Sequence, residues 1–151
     1  MPAIMVFICF SLDQSLSWVF AFACVPMCAL LVVGGLYWRA KLHQLEGKPQ
    51  TLAALLPFAG ALQAPLAVLS ILVLVACAWV WGAGGGASTG DRVVITVAAV
   101  LAGLEYINYY HRQLQHFDHW PDLKRLFTGR GFQVAQMAND LARIRRKETG
   151  T

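Results

Sequence analysis

The side chains best placed by type and spacing to do chemistry lie in LEYINYYHRQLQHFDHWPD, residues 104–122. On a helix, Glu105, Asn108, Tyr109, Arg112, His116 and His119 share one side and continue the line of Ala98 and Ala102. Small residues mark the face on which membrane helices approach closely, so Glu105 is expected to point into a bundle rather than at lipid. An intramembrane carboxyl group is costly and has either a partner or a task. The task would be a proton or cation site, or a pocket between helices. The partner would be Gln63, which opens another apolar segment and whose hydrogen bond to Glu105 would lock two helices together.

His116, His119 and Asp122 have a spacing able to supply nitrogen and oxygen ligands to a metal. The motif is weak. His111 points to a different face, Glu105 is about 16 Å up the helix from His116, and no cysteine reaches that end. A bis-histidine haem would need histidine in the other spans, which have none. No metal centre and no other cofactor is therefore expected. Hydrolase elbow, phosphate loop and HExxH motifs are also absent. Nothing gives a reason to expect an enzyme, which would require Glu105 and His116 or His119 to converge on a cavity.

Cys9, Cys24, Cys28 and Cys77 sit in apolar surroundings without the spacing of a zinc site and read as packing residues. Cys24 and Cys28 are one helical turn apart, but Pro26 and their apolar depth disfavour a redox pair. A bridge from Cys9 to Cys77 stays open.

The elements that must position the stripe follow from composition. Of 151 residues, 58% are hydrophobic and 13% charged, against about 25% charged in a soluble domain. The apolar residues form continuous runs, the mark of segments that face lipid. Trp18 to Trp38 is one uncharged run, long enough to cross a hydrocarbon core. Met1 to Leu12 is apolar but too short to cross and lacks the flanks of a signal peptide; it reads as an interfacial lead-in turned at Asp13-Gln14-Ser15. Thr51 to Trp81 holds one span, from Leu62 to Trp81, with Leu52 to Ala61 as a kinked extension or interfacial segment broken by Pro57 and Pro65. GAGGGASTG, residues 82–90, makes a flexible turn. The third span runs from Val93 to about Tyr110, and its helix has nothing to stop it before Pro121, so Glu105 to Trp120 is expected to emerge as one rod.

Eleven of the twelve Lys and Arg residues then fall on one side, with Arg92 alone on the other. The excess marks the cytoplasmic side. It places the N-terminus outside and the C-terminus inside, and in a bacterium the inner membrane is the natural location. Beyond Pro121, PDLKRLFT suggests a short helical piece, Gly129-Arg130-Gly131 a turn, and Phe132 to Lys147 an amphipathic helix. The expected fold is thus an all-α membrane protein: residues 1–120 form three transmembrane helices with the third emerging, and residues 121–151 form a basic cytoplasmic tail with the amphipathic helix.

The C-terminal part from His111 onward carries Arg112, Lys124, Arg125, Arg130, Arg143, Arg145, Arg146 and Lys147 next to the membrane. Attraction to anionic lipid headgroups follows, at about 1 kcal/mol per basic residue near the surface. The apolar line Val134, Met137, Leu141 and Ile144 would lie in the interface or dock on a partner. Without base-stacking aromatics or a recognisable module, nucleic acid is not an expected partner. The function expected on these grounds is a non-catalytic accessory or anchoring subunit of a membrane complex, since three helices leave little room for a transport path. The alternative is a homo-oligomeric channel or ion-conducting component in which Glu105, Asn108 and Tyr109 line a shared pore.

Overall fold

The computed structural model describes residues 18–82, 88–114, 132–148 and 150. The expected N-terminal lead-in and its turn, most of the glycine turn, the helical piece after Pro121 and the turn at 129–131 lie outside these residues. Four helices are described: α1 (Trp18–Leu45), α2 (Gln50–Gly82), α3 (Thr89–Tyr110) and α4 (Gln136–Glu148). The first three are long and apolar enough to cross a membrane, so the chain has the character of a multi-pass membrane protein.

The helix ends are set by local chemistry. At the end of α1, Lys48 N donates to His43 O at 2.8 Å and Gly47 N to Gln44 O at 3.2 Å, with Gly47 at φ 83°. This paired closure of orphan carbonyls requires a left-handed residue after the helix, which is why glycine stands there. Pro49 follows and cannot extend α1. At the start of α3, Asp91 N donates to Ser88 Oγ and Ser88 Oγ donates to Asp91 Oδ2, both at 3.1 Å. The serine thereby caps an exposed backbone donor, and the acid sits at the positive end of the helix dipole.

One sequence expectation is narrowed and two are corrected. The α2 helix is continuous across its 33 residues, so Leu52 to Ala61 is an extension of the span's helix, one of the two forms expected, and not a separate interfacial segment. Each proline removes one backbone hydrogen bond, which an otherwise regular apolar helix withstands. The α3 helix stops at Tyr110 and does not run on as a rod to Trp120. Arg112 N donates back to Ile107 O at 2.8 Å, closing a wider turn, and Leu114 N donates to the Asn108 side-chain oxygen at 2.8 Å. The last helix begins at Gln136, not Phe132. Residues 132–135 are extended and bridged to residues 111–113: Gln113 N donates to Gln133 O at 2.9 Å and Ala135 N to His111 O at 3.1 Å.

The chain divides into two compact units, each with its own core. The first, Met1–Val32 with Ala64–Gly103, buries Met27 and Leu30 of α1, Leu66 and Val73 of α2, and Ile95, Ala98 and Ala102 of α3. Its polar contacts gather on Thr96, whose hydroxyl donates to Arg92 O at 2.7 Å and accepts from Trp81 Nε1 at 3.0 Å. The Arg92 guanidinium lies 5.6 Å from the Trp81 ring centroid, where the ring face attracts a cation. The second unit, Val33–Gln63 with Leu104–Thr151, buries Val33, Tyr37 and Ala40 of α1, Leu56 and Ala59 of α2, Tyr110 of α3, and Met137 and Leu141 of α4.

Candidate functional site

The second unit holds every described residue of the polar stripe. Its firmest point is one the sequence reading missed. Tyr37 and Lys41, one turn apart on α1, both reach Asp140 of α4: the Tyr37 hydroxyl donates to Asp140 Oδ2 at 2.8 Å, and Lys41 Nζ pairs with the same oxygen at 2.8 Å. Arg143 Nη1 stands 3.9 Å from the other oxygen. Only 11% of the Asp140 side chain and 24% of Lys41 are exposed, so this ion pair is largely withdrawn from water. Such a pair is weak evidence of net stabilisation, but removing one partner strands the other. It therefore acts as a clamp of defined geometry between α1 and α4. The signal in the sequence was an acid at position 140 within the apolar line of Met137 and Leu141.

The stripe residues are used to close the fold. Asn108 accepts from Leu114 N and terminates α3. Tyr109 packs against Gly34 so closely that a Cβ built there would overlap the phenol ring. Tyr109 also lies beside the Glu105 carboxyl. Glu105 Oε2 is buried with no hydrogen-bond partner among the described residues. Tyr110, buried, donates to Ala59 O of α2 at 2.9 Å. Gln63 does not meet Glu105 as expected: its Oε1 accepts from Arg145 Nη2 at 3.0 Å, tying α2 to α4. Arg112 Nη1 donates to Phe132 O at 3.0 Å and fastens the extended segment before α4.

The apolar line of α4 is partly spent within the unit. Met137 and Leu141 are 1% and 7% exposed, Ile144 is half-buried, and Val134 remains exposed. Leu141 packs near Gly60 of α2. Arg143, Arg145 and Arg146 are exposed. Lys147 falls within α4, its side chain outside the description. Lys124, Arg125, Arg130, His116, His119 and Asp122 lie outside the described residues. Among the residues described, no cluster of three His, Cys, Asp or Glu is placed to hold a metal. Cys24, Cys28 and Cys77 are thiols, and Cys77 Sγ contacts Thr96 Oγ1 at 3.5 Å.

Beside the stripe lies a cavity of about 20 Å³, lined by Tyr37, Asn108, Tyr109 and Gln113 among others. That is room for about one water molecule. This cavity can hold a bridging water and is too small for a solvated ion or an organic substrate; a wider one of about 240 Å³ is lined by Gln63, Tyr110, Leu141 and Arg145. No family model, curated protein or solved structure matches this chain.

Proposed function

We propose that the chain is a non-catalytic accessory or anchoring subunit of a membrane complex. The observation that carries this reading is the Tyr37–Asp140–Lys41 clamp, which pins the basic α4 helix against α1 instead of leaving it a loose tail. Asn108, Tyr110, Gln63 and Arg112 are likewise engaged in holding the unit together, and the cavity beside Tyr37, Asn108 and Tyr109 takes about one water. What is left for recognition is the outward apolar surface. Val68, Ile71, Val75 and Trp79 of α2 are 56%, 57%, 60% and 63% exposed, a face suited to lipid or to helices of another membrane protein.

In this reading the N-terminus is outside and the C-terminus cytoplasmic, in an inner membrane. The charge count supports it: of the Lys and Arg residues, only Arg92 belongs to the first unit. The anionic lipid surface is then the neighbour of Arg143, Arg145 and Arg146. The test is isolation of the tagged chain in mild detergent followed by native mass determination. A distinct companion protein at fixed stoichiometry is the expected result. A chain that comes alone or only with copies of itself overturns the proposal.

One observation favours the second reading, a homo-oligomeric ion-conducting component: Glu105 Oε2, though not the whole carboxyl, is buried without a hydrogen-bond partner among the described residues. Buried polar groups ordinarily have partners, and a neighbouring copy or a bound cation would supply one. Conductance recordings of the purified chain and of Glu105→Gln separate this reading from the first.

A further inference from the structure

On the other side of α1 from the clamp lies an open groove of about 520 Å³ between α1 and the start of α2. Leu36, Arg39 and His43 line it from α1, and Thr51, Leu55 and Phe58 from α2. The spacing on each helix is that of one face, and the two helices run in opposite directions from the turn at Gly47. Leu36 and Phe58 therefore mark the end of the groove far from the turn, while His43 and Thr51 mark the near end. Polarity follows the same axis: hydrocarbon at the far end, the Arg39 guanidinium near the middle, and an imidazole and a hydroxyl at the near end.

The level in the membrane agrees. The uncharged run of α1 ends at Trp38, half exposed, and Arg39 is the first charge after it. An exposed tryptophan followed by arginine is the pattern of a helix reaching the headgroup layer. Each wall spans seven residue steps, about 10 Å of helix; with Arg39 at the headgroup layer, the Leu36 and Phe58 end reaches into the outer part of the roughly 15 Å hydrocarbon depth of one leaflet. Among the described residues Arg39 forms no salt bridge, so its charge is not neutralised by an acidic neighbour. Leu36 and Phe58 are 42% and 54% exposed in an open groove, which an acyl chain would cover.

We propose that this groove is a binding site for one anionic phospholipid, its phosphate held by Arg39, His43 and Thr51 and its acyl chain lying against Leu36, Leu55 and Phe58. The proposal rests on the membrane-embedded character of the helices and holds whether or not a protein companion exists. The site differs from the diffuse attraction of the α4 arginines in having a groove as well as charge.

The test uses the full chain in mild detergent with phosphatidylglycerol or phosphatidylcholine carrying a photoactivatable group on the acyl chain, and maps the labelled peptides by mass. Phosphatidylglycerol is expected to label residues 36–43 and 51–58 about fivefold more than phosphatidylcholine, the ratio given by ~1 kcal/mol for one basic residue facing an anionic headgroup. Arg39→Gln is expected to remove that preference, whereas Arg146→Gln, on α4 and away from the groove, retains it. Equal labelling by the two lipids overturns the proposal, as does equal loss in the two variants. Cross-linking of Leu36→Cys to Phe58→Cys between copies, in place of lipid labelling, assigns the groove to self-association and overturns it too. The headgroup ratio of the unsubstituted chain decides the matter even where Arg39→Gln disturbs the fold.

Discussion

The Tyr37 hydroxyl donates to Asp140 Oδ2 at 2.8 Å across 103 residues of sequence, and Lys41 meets the same oxygen. Replacing Asp140 with Ala strands a half-buried ammonium and a buried hydroxyl. It should cost about 2–3 kcal/mol, somewhat below the range for a fully buried pair because Lys41 keeps some contact with water. Tyr37→Phe removes a single hydrogen bond and should cost about 1 kcal/mol. Hydrogen exchange of residues 136–148 in detergent checks both: α4 should lose protection while α1 to α3 keep theirs. Unchanged α4 protection in Asp140→Ala would show that the clamp does not hold the helix.

Gly34 gives way to the Tyr109 ring, and nothing stands within 4 Å of a Cβ at Gly35. Gly34→Ala should therefore destabilise the second unit by about 1–3 kcal/mol through overpacking, while Gly35→Ala is close to neutral. Thermal unfolding in mild detergent compares them. The double variant Gly34→Ala with Tyr109→Ala should recover part of the loss, because the added methyl then occupies space the ring has left. Equal effects at the two glycines would argue that the close approach is not real.

Tyr110 joins the end of α3 to Ala59 in α2 through one hydrogen bond from a buried hydroxyl. Tyr110→Phe keeps the ring and loses the bond, so a loss of about 1 kcal/mol is expected with no change in helix content. Circular dichroism on heating reports both quantities. A loss of helix at low temperature would mean that the contact sets the end of α3 rather than fastening it.

Glu105→Gln bears on the choice between subunit and conductor. For a subunit, an uncharged amide replaces a carboxyl whose Oε2 has no hydrogen-bond partner among the described residues, so thermal stability should change by less than about 1 kcal/mol. Companion binding should also persist. Planar-bilayer recordings of the parent chain should then be silent. Steady cation current that Glu105→Gln abolishes would transfer the assignment to the conducting reading.

The proposed orientation is checked by single cysteines at Lys48 and Thr89, both exposed, in a background with the native cysteines replaced by alanine. Lys48→Cys should react with an impermeant thiol reagent only after the cytoplasmic side is opened, and Thr89→Cys from outside in intact cells. The reverse pattern would invert the topology and remove the basic α4 helix from the cytoplasmic leaflet.

Much of the architecture was legible before any coordinates. The run from Trp18 to Trp38 can only be a long apolar helix, because a backbone surrounded by hydrocarbon must satisfy its own hydrogen bonds. The spans of α1, α2 and α3 follow from that constraint. The stop at Tyr110 was not legible in the same way. A helix ends where the residues after it find other partners, and here Leu114 N donates to the Asn108 side chain, Gln113 N donates to Gln133 O, and His111 O accepts from Ala135 N. The partner of Gln63 was misjudged for a related reason: its side chain reaches Arg145 of α4.

By itself, then, the sequence determined what lies in an apolar setting and which faces of each helix are small, polar or basic, since composition and helical period are local quantities. Only the tertiary structure decided that Asp140, an acid on the apolar line of α4, is matched to Tyr37 and Lys41, and that Gly34 is small for the sake of Tyr109. Those pairings depend on where the chain returns after the turn beyond α3, and a hydrogen bond of 2.8 Å between residues 103 apart leaves no periodic trace in the sequence.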